Sequence, residues 1–75
     1  MKLHEILKSS FSARESEMGD SVKFTSYEAW DSMAHMLFIT QLEDGYGIQL
    51  TGDEIASMDT IGKAKEIIRS RGKEL

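Results

Sequence analysis

Apolar residues recur at helical spacing in several stretches of the chain, and a long aperiodic stretch separates the first from the second. Leu3, Ile6, Leu7 and Phe11 form one stripe and predict a first helix over about residues 2 to 13. Between residues 14 and 31 no period is sustained. Gly19, several acids and scattered serines there predict a connection that is long for so small a domain, and long connections are often functional. It holds Val22, Phe24, Tyr27 and Trp30, large apolar groups that predict a loop pinned to the core. A second helix is predicted from about Ser32 to Tyr46, with Gly47 as the left-handed residue that ends it. Gly45, inside its last turn, weakens that end by about 1 kcal/mol relative to alanine. A short third helix near residues 53 to 58 carries Ile55 and Met58. A fourth has Thr60 as N-cap, turns Ile61, Ala64, Ile67 and Ile68 inward, and stops at Gly72. The expected fold is all-α: a small four-helix bundle of three longer helices and one short helix, with a long loop between the first and second. The 75 residues leave room for a single domain, residues 1–75.

The second helix is apolar on more than one side. At about 100° per residue, Phe38, Ile39, Leu42 and Tyr46 share one arc, which is the core face, and His35 projects into the same arc near its start. Met33, Met36 and Thr40 cluster on nearly the opposite side, with Leu37 flanking them. Either the long loop folds back over this second stripe, or the stripe is open and docks a partner. Methionine suits docking, because a flexible thioether adapts to differently shaped surfaces. The polar pair Asp31-Ser32 opens the helix, and either residue could be its N-cap. A serine at that point, near free N–H groups and the positive end of the helix dipole, is also well placed to carry a phosphate.

Charge and composition narrow the choices. The net charge of −4 conceals segregation: residues 15 to 60 hold ten acids against the single base Lys23, whereas residues 61 to 75 hold Lys63, Lys65, Arg69, Arg71 and Lys73 against Glu66 and Glu74. An acidic middle disfavours nucleic acid and anionic membrane as partners and attracts basic protein surfaces. The chain has no cysteine, which removes disulfides, thiolate metal sites and a cysteine nucleophile, and fits a reducing cytoplasm. No apolar run reaches the roughly 18 residues of a membrane span, and the start MKLHEILKSSF lacks the features of a signal peptide. The ending GKEL is not the Lys-Asp-Glu-Leu retention address, so a cytoplasmic protein is expected.

The stretch from Trp30 to Gly72 resembles the acyl and peptidyl carrier protein family. The residues that carry the resemblance are Asp31-Ser32-Met33 at the start of the second helix, then Leu42-Glu43-Asp44, Tyr46 and Gly47-Ile48 at its end. Asp53-Glu54-Ile55 and Met58-Asp59-Thr60-Ile61 continue the match in the third helix and at the start of the fourth, and about residues 22 to 72 align without a gap. The resemblance implies a carrier and not an enzyme, hence no catalytic residues. A phosphopantetheinyl transferase would move 4′-phosphopantetheine from coenzyme A onto Ser32, with Asp31 as the motif aspartate that aids its recognition. The arm would supply the thiol that the chain lacks. Acyl-loading and acyl-processing enzymes would be the partners, meeting Met33, Met36, Leu37 and Ile55, with Thr40 on the same stripe. Action as a monomer is expected, with a captive substrate offered at high effective concentration.

This chain departs from the family pattern in ways that suggest a specialised pathway. Ala34, His35, Met36 and Leu37 stand where housekeeping fatty-acid carriers usually have acids, leaving Glu43, Asp44 and the third-helix acids to steer basic partners. Trp30 replaces a small residue, and Glu28 a leucine, ahead of the motif. Other signals are weaker. His4-Glu5-Ile6-Leu7-Lys8 lacks the second histidine of a zinc site, so no metal is expected. Glu43-Asp44-Gly45-Tyr46-Gly47 lacks the ligand spacing of a calcium loop. The alternative to a carrier is a helical protein-interaction module in which Ser32 is only an N-cap and the methionine stripe binds a protein.

Overall fold

Leu3, Ile6, Leu7 and Phe11 are buried along one side of α1, Lys2–Phe11, in the computed structural model, which describes residues 2–75. The helix stops two residues earlier than its sequence suggests. Ser12 adopts a left-handed φ of 53°, and the amide N–H groups of Ser12 and Ala13 donate back to the carbonyls of Lys8 and Leu7. Those bonds satisfy carbonyls of the last turn, and they fold Ala13 into the core where a continuing helix would have pointed it onward.

The remaining helices are α2, Ser32–Tyr46, the short α3, Gly52–Ser57, and α4, Ile61–Ser70. Together with α1 they form a small all-helical bundle, and among the described residues there is no β-strand. Gly47 ends α2 with φ 64°, its N–H donating to the Glu43 carbonyl. At α3, Thr51 Oγ1 accepts from the Glu54 amide (3.1 Å), and Glu54 Oε1 accepts from the Thr51 amide (3.0 Å). This reciprocal cap starts α3 one residue earlier than expected, so Met58 falls past its end and drops into the core. Thr60 caps α4 through Lys63, and Gly72 closes it at φ 74°. Of the inward residues expected there, Ile61, Ala64 and Ile68 are buried and Ile67 is half-buried.

The core is one cluster in which the apolar faces of α1, α2 and α4 meet. Gly45 has a packing reason to be glycine. A side chain there would meet Ile6 Cδ1 at 3.2 Å, and Lys2 Nζ donates to its carbonyl at 2.6 Å, so α1 runs close against the end of α2.

The long connection between α1 and α2 is ordered by short backbone pairings with the α3–α4 junction. Phe24 N donates to Asp59 O (3.1 Å), Ile61 N to Val22 O (3.1 Å) and Gly62 N to Asp20 O (2.9 Å). Two single-turn 3₁₀ helices, Glu15–Glu17 and Phe24–Ser26, fill out the connection. Phe24 and Tyr27 are buried and Val22 and Trp30 half-buried against the core, as their size predicts; Met18, in the same stretch, is buried as well. Tyr27 is further fixed by its hydroxyl, which donates to the Glu17 carbonyl at 2.7 Å. Phe11 stacks on Tyr27 (centroids 5.3 Å, 21°) and tilts against Phe38 (5.4 Å), joining loop, α1 and α2 in one aromatic cluster.

Charges that are segregated along the sequence meet in space. Lys8 Nζ lies 2.6 Å from Glu15, Lys65 Nζ lies 2.6 Å from Asp20, and Arg71 pairs with Glu54. The hydrogen bond and charge of Lys8 hold the Glu15 carboxyl below its ordinary value, and Lys65 does the same to Asp20. Glu54 is lowered first by the Thr51 amide and then by Arg71. Each of these acids binds a proton less readily folded than unfolded, so on acidification the unfolded chain protonates first. Their contribution to stability is present above the ordinary carboxylate range and is lost as pH falls through it to the lower folded-state values. The urea midpoint is therefore expected to decline as pH falls through that range, less steeply in high salt. A midpoint that rises on acidification would contradict the pairing.

Candidate functional site

The start of α2 is set by Asp31. Its backbone is extended (φ −154°, ψ 178°), and its Oδ1 accepts from the Ala34 amide at 2.7 Å, which is the N-cap bond. Ser32 follows as the first helical residue and is exposed. Of the two residues that the sequence offers as cap, Asp31 takes the task and Ser32 does not. The reason is geometric: the cap must sit in extended conformation just before the first helical residue, and Asp31 has that backbone. The Ser32 hydroxyl is left at the positive end of a 15-residue helix.

Beside it the second apolar stripe of α2 is open. Met33 is 83% exposed, Met36 58% and Leu37 45%, and Thr40 is exposed on the same face with its Oγ1 donating to the Met36 carbonyl at 3.0 Å. The long loop does not cover this stripe, because its pairings carry it toward the α3–α4 junction instead. Ile55 differs from these four. It is half-buried and packs against the core, presenting only part of its side chain. The core face of α2 is as predicted, with Phe38, Ile39, Leu42 and Tyr46 buried.

The acids expected to steer partners divide into two groups. Glu43 is half-buried, and its Oε2 accepts from the Leu50 amide at 2.8 Å, so it braces the α2–α3 connection. Glu54 is engaged by Thr51 and Arg71. Glu28, Asp31, Asp44, Asp53 and Asp59 are exposed, and they are the carboxylates that colour the surface from the start of α2 to α3. Sequence reasoning assigned Glu43 and Glu54 to steering because charge, and not hydrogen bonding, is what a sequence displays.

His35 lies one turn into α2, half-buried among aromatic rings: Phe24 at 6.0 Å, Trp30 at 6.2 Å, Phe38 at 6.4 Å and Phe11 at 6.5 Å between centroids. The Trp30 indole N–H donates to His35 Nδ1 at 3.2 Å. Sequence reasoning had put His35 on the core arc but had not paired it with Trp30. The five-residue separation crosses the helix start, where no periodic rule applies. His4, the other histidine, points its Nδ1 toward Glu15 at 3.8 Å.

No protein-family model matches the chain, and no curated protein sequence matches it either. No helix among the described residues is long and apolar enough to cross a membrane.

Proposed function

We propose that this chain is a carrier: Ser32 receives 4′-phosphopantetheine from coenzyme A, and the loaded protein presents an acyl or aminoacyl group to partner enzymes in a specialised biosynthetic pathway. The observation that carries this reading is the exposed Ser32 hydroxyl, relieved of capping by Asp31 and bordered by an uncovered stripe of Met33, Met36 and Leu37. The resemblance of Asp31-Ser32-Met33 and its downstream register to the carrier family supports it. The proposed setting is the cytoplasm.

The residues suit the group they would hold. In loading by a transferase, the Ser32 oxygen forms a phosphodiester, the diphosphate link of coenzyme A breaks, adenosine 3′,5′-bisphosphate leaves, and the serine proton passes to a base of the transferase. The product phosphate would lie near the first-turn N–H groups of α2, where negative charge is favoured by about 0.3–1 kcal/mol. When attached, the arm supplies a terminal thiol that holds cargo as a thioester. The chain's own part is to keep the serine outside the core and to leave the adjoining apolar face open for docking, while Glu28, Asp31, Asp44 and Asp53 stay exposed and suit basic partner surfaces.

The test is to incubate the apo protein with coenzyme A, Mg²⁺ and a promiscuous phosphopantetheinyl transferase and to weigh it. The expected result is a gain of one phosphopantetheinyl group, mapped to the peptide containing Ser32; no gain rejects the proposal. The open methionine stripe also favours a second reading, a non-carrier interaction module that binds a protein through Met33 and Met36. That reading predicts no modification and full function in Ser32→Ala.

A further inference from the structure

Residues 30 and 31 are held to His35 by two bonds of different kinds. The His35 backbone N–H donates to the Asp31 carbonyl at 3.0 Å, as the first turn of α2 requires. Its ring nitrogen Nδ1 accepts from the indole of Trp30 at 3.2 Å. The Trp30 backbone N–H in turn donates to the Tyr27 carbonyl at 3.0 Å. The residue just before the cap is thus anchored on one side to the loop and on the other to a side chain one turn up the helix. The next two residues along the chain are Asp31 and Ser32.

This anchor works for one protonation state of the imidazole. An indole nitrogen can only donate, so Nδ1 must be bare and the proton must sit on Nε2. Protonation of Nδ1 sets two donors against each other and places a charge among Phe11, Phe24 and Phe38, which give it no anionic partner. The charged or titratable groups on the surrounding segments are Lys23 beside Phe24, Glu28 and Asp31 on either side of Trp30, Arg14 beyond Phe11, and Tyr27, whose hydroxyl is engaged by Glu17. Among the described residues, none of them forms an ion pair with His35 within 4.0 Å.

We infer that Trp30 and neutral His35 form a positioning latch that fixes the turn presenting Ser32, and that protonation of His35 opens it. The inference rests on the carrier reading for its functional consequence: neither residue touches the reacting atoms, and both act through the backbone of Asp31. With the latch open, Trp30 loses its side-chain brace and only the backbone bonds of residues 30 and 31 remain; the extended conformation of the cap is sampled less, and Ser32 is offered to the transferase in fewer productive orientations.

The chain's single tryptophan gives a direct readout. Its indole N–H resonance is expected downfield and slow to exchange with water at alkaline pH. It should move upfield and exchange faster when acidification protonates Nδ1. In His35→Asn, where an amide oxygen can accept near the Nδ1 position without titrating, the resonance is expected to stay still. Loading by the transferase is then followed across the same pH range, with wild type expressed relative to His35→Asn so that the transferase's own pH dependence cancels. The ratio is expected to fall on acidification by at most about fivefold, the change in equilibrium constant that losing roughly one net hydrogen bond produces. Trp30→Phe keeps an aromatic wall without the donor, and should load slowly at every pH. An indole resonance that does not move, or that moves equally in His35→Asn, overturns the latch. A constant loading ratio overturns its positioning role. Absence of loading in every variant at every pH instead overturns the carrier reading, and the positioning role with it.

Discussion

Replacing Ser32 by alanine is expected to abolish phosphopantetheinylation completely while leaving the stability of the protein within about 0.5 kcal/mol of wild type. Removing the only oxygen that the transferase would modify leaves nothing to form the phosphodiester, so the effect on loading is total. The effect on stability is small because Ser32 is exposed and stands inside the helix, one residue past the cap. Alanine is also the better helix former at that position. Asp31→Ala is expected to do the reverse in stability. It deletes the oxygen that accepts from the Ala34 amide, exposes an orphan N–H in the first turn, and costs about 0.5–2 kcal/mol. Loading of Asp31→Ala should be slowed, not abolished. The pair of variants separates anchoring from capping, which lie side by side in sequence. Urea denaturation and intact-protein mass measured on both decide the matter. A Ser32→Ala protein that still gains the mass, or one destabilised as much as Asp31→Ala, would remove the basis of the carrier proposal.

What could be read in the sequence follows from which forces leave a local signature. The bounds of α2 were legible because both ends carry chemical punctuation: a capping residue at Asp31, and Gly47 in the left-handed conformation that ends the helix. Its core face was legible from spacing alone. The fate of the second stripe was not. Met33 and Met36 are open because the loop is drawn elsewhere by amides of Phe24, Ile61 and Gly62 bonding to carbonyls of Asp59, Val22 and Asp20. Backbone bonds of that kind carry no residue-type signal. Met18 and Leu50 are buried singly in connections, where no period marks an inward residue.

The charge pattern was legible as composition and misleading as geometry. The acidic stretch looks from sequence like one continuous field. In the fold, Glu15, Asp20 and Glu54 reach bases on α1, on α4 and just past its end, and Glu43 turns to a backbone amide. Two of these contacts join segments far apart in the chain: Asp20 and Lys65 are separated by 45 residues, Glu54 and Arg71 by 17. They help to hold the long loop and the end of α4 in place, although exposed pairs of this kind add little individually. The surface available to a partner is therefore less acidic than the sequence suggests and more apolar. That shifts the expected recognition from electrostatic steering toward fit against the methionine stripe.

The largest loss of stability is expected from Phe38→Ala, because the site is held in place by the cluster beneath it. Phe38 is on the inner face of α2 with 0% exposure, its ring 4.7 Å from Phe24 and 5.4 Å from Phe11. It is thus the point where the helix that carries Ser32 meets both the loop and α1. Truncation removes the transfer free energy of a buried ring and leaves a cavity, a combined cost of about 3–5 kcal/mol. A domain of this size has about 4–11 kcal/mol in total, at roughly 0.05–0.15 kcal/mol per residue. The variant should therefore lose at least a quarter of its stability and, toward the lower end of that range, be largely unfolded at 37 °C. Phe38→Leu keeps more of the volume and should be damaged far less. The urea midpoint, followed by circular dichroism with the slope unchanged, measures both. A loss below about 1 kcal/mol in Phe38→Ala would mean that the ring cluster collapses onto the gap without penalty. In that case Phe24, Tyr27 and His35 could not be what fixes the loop and the start of α2, and the exposure of Ser32 would need another support.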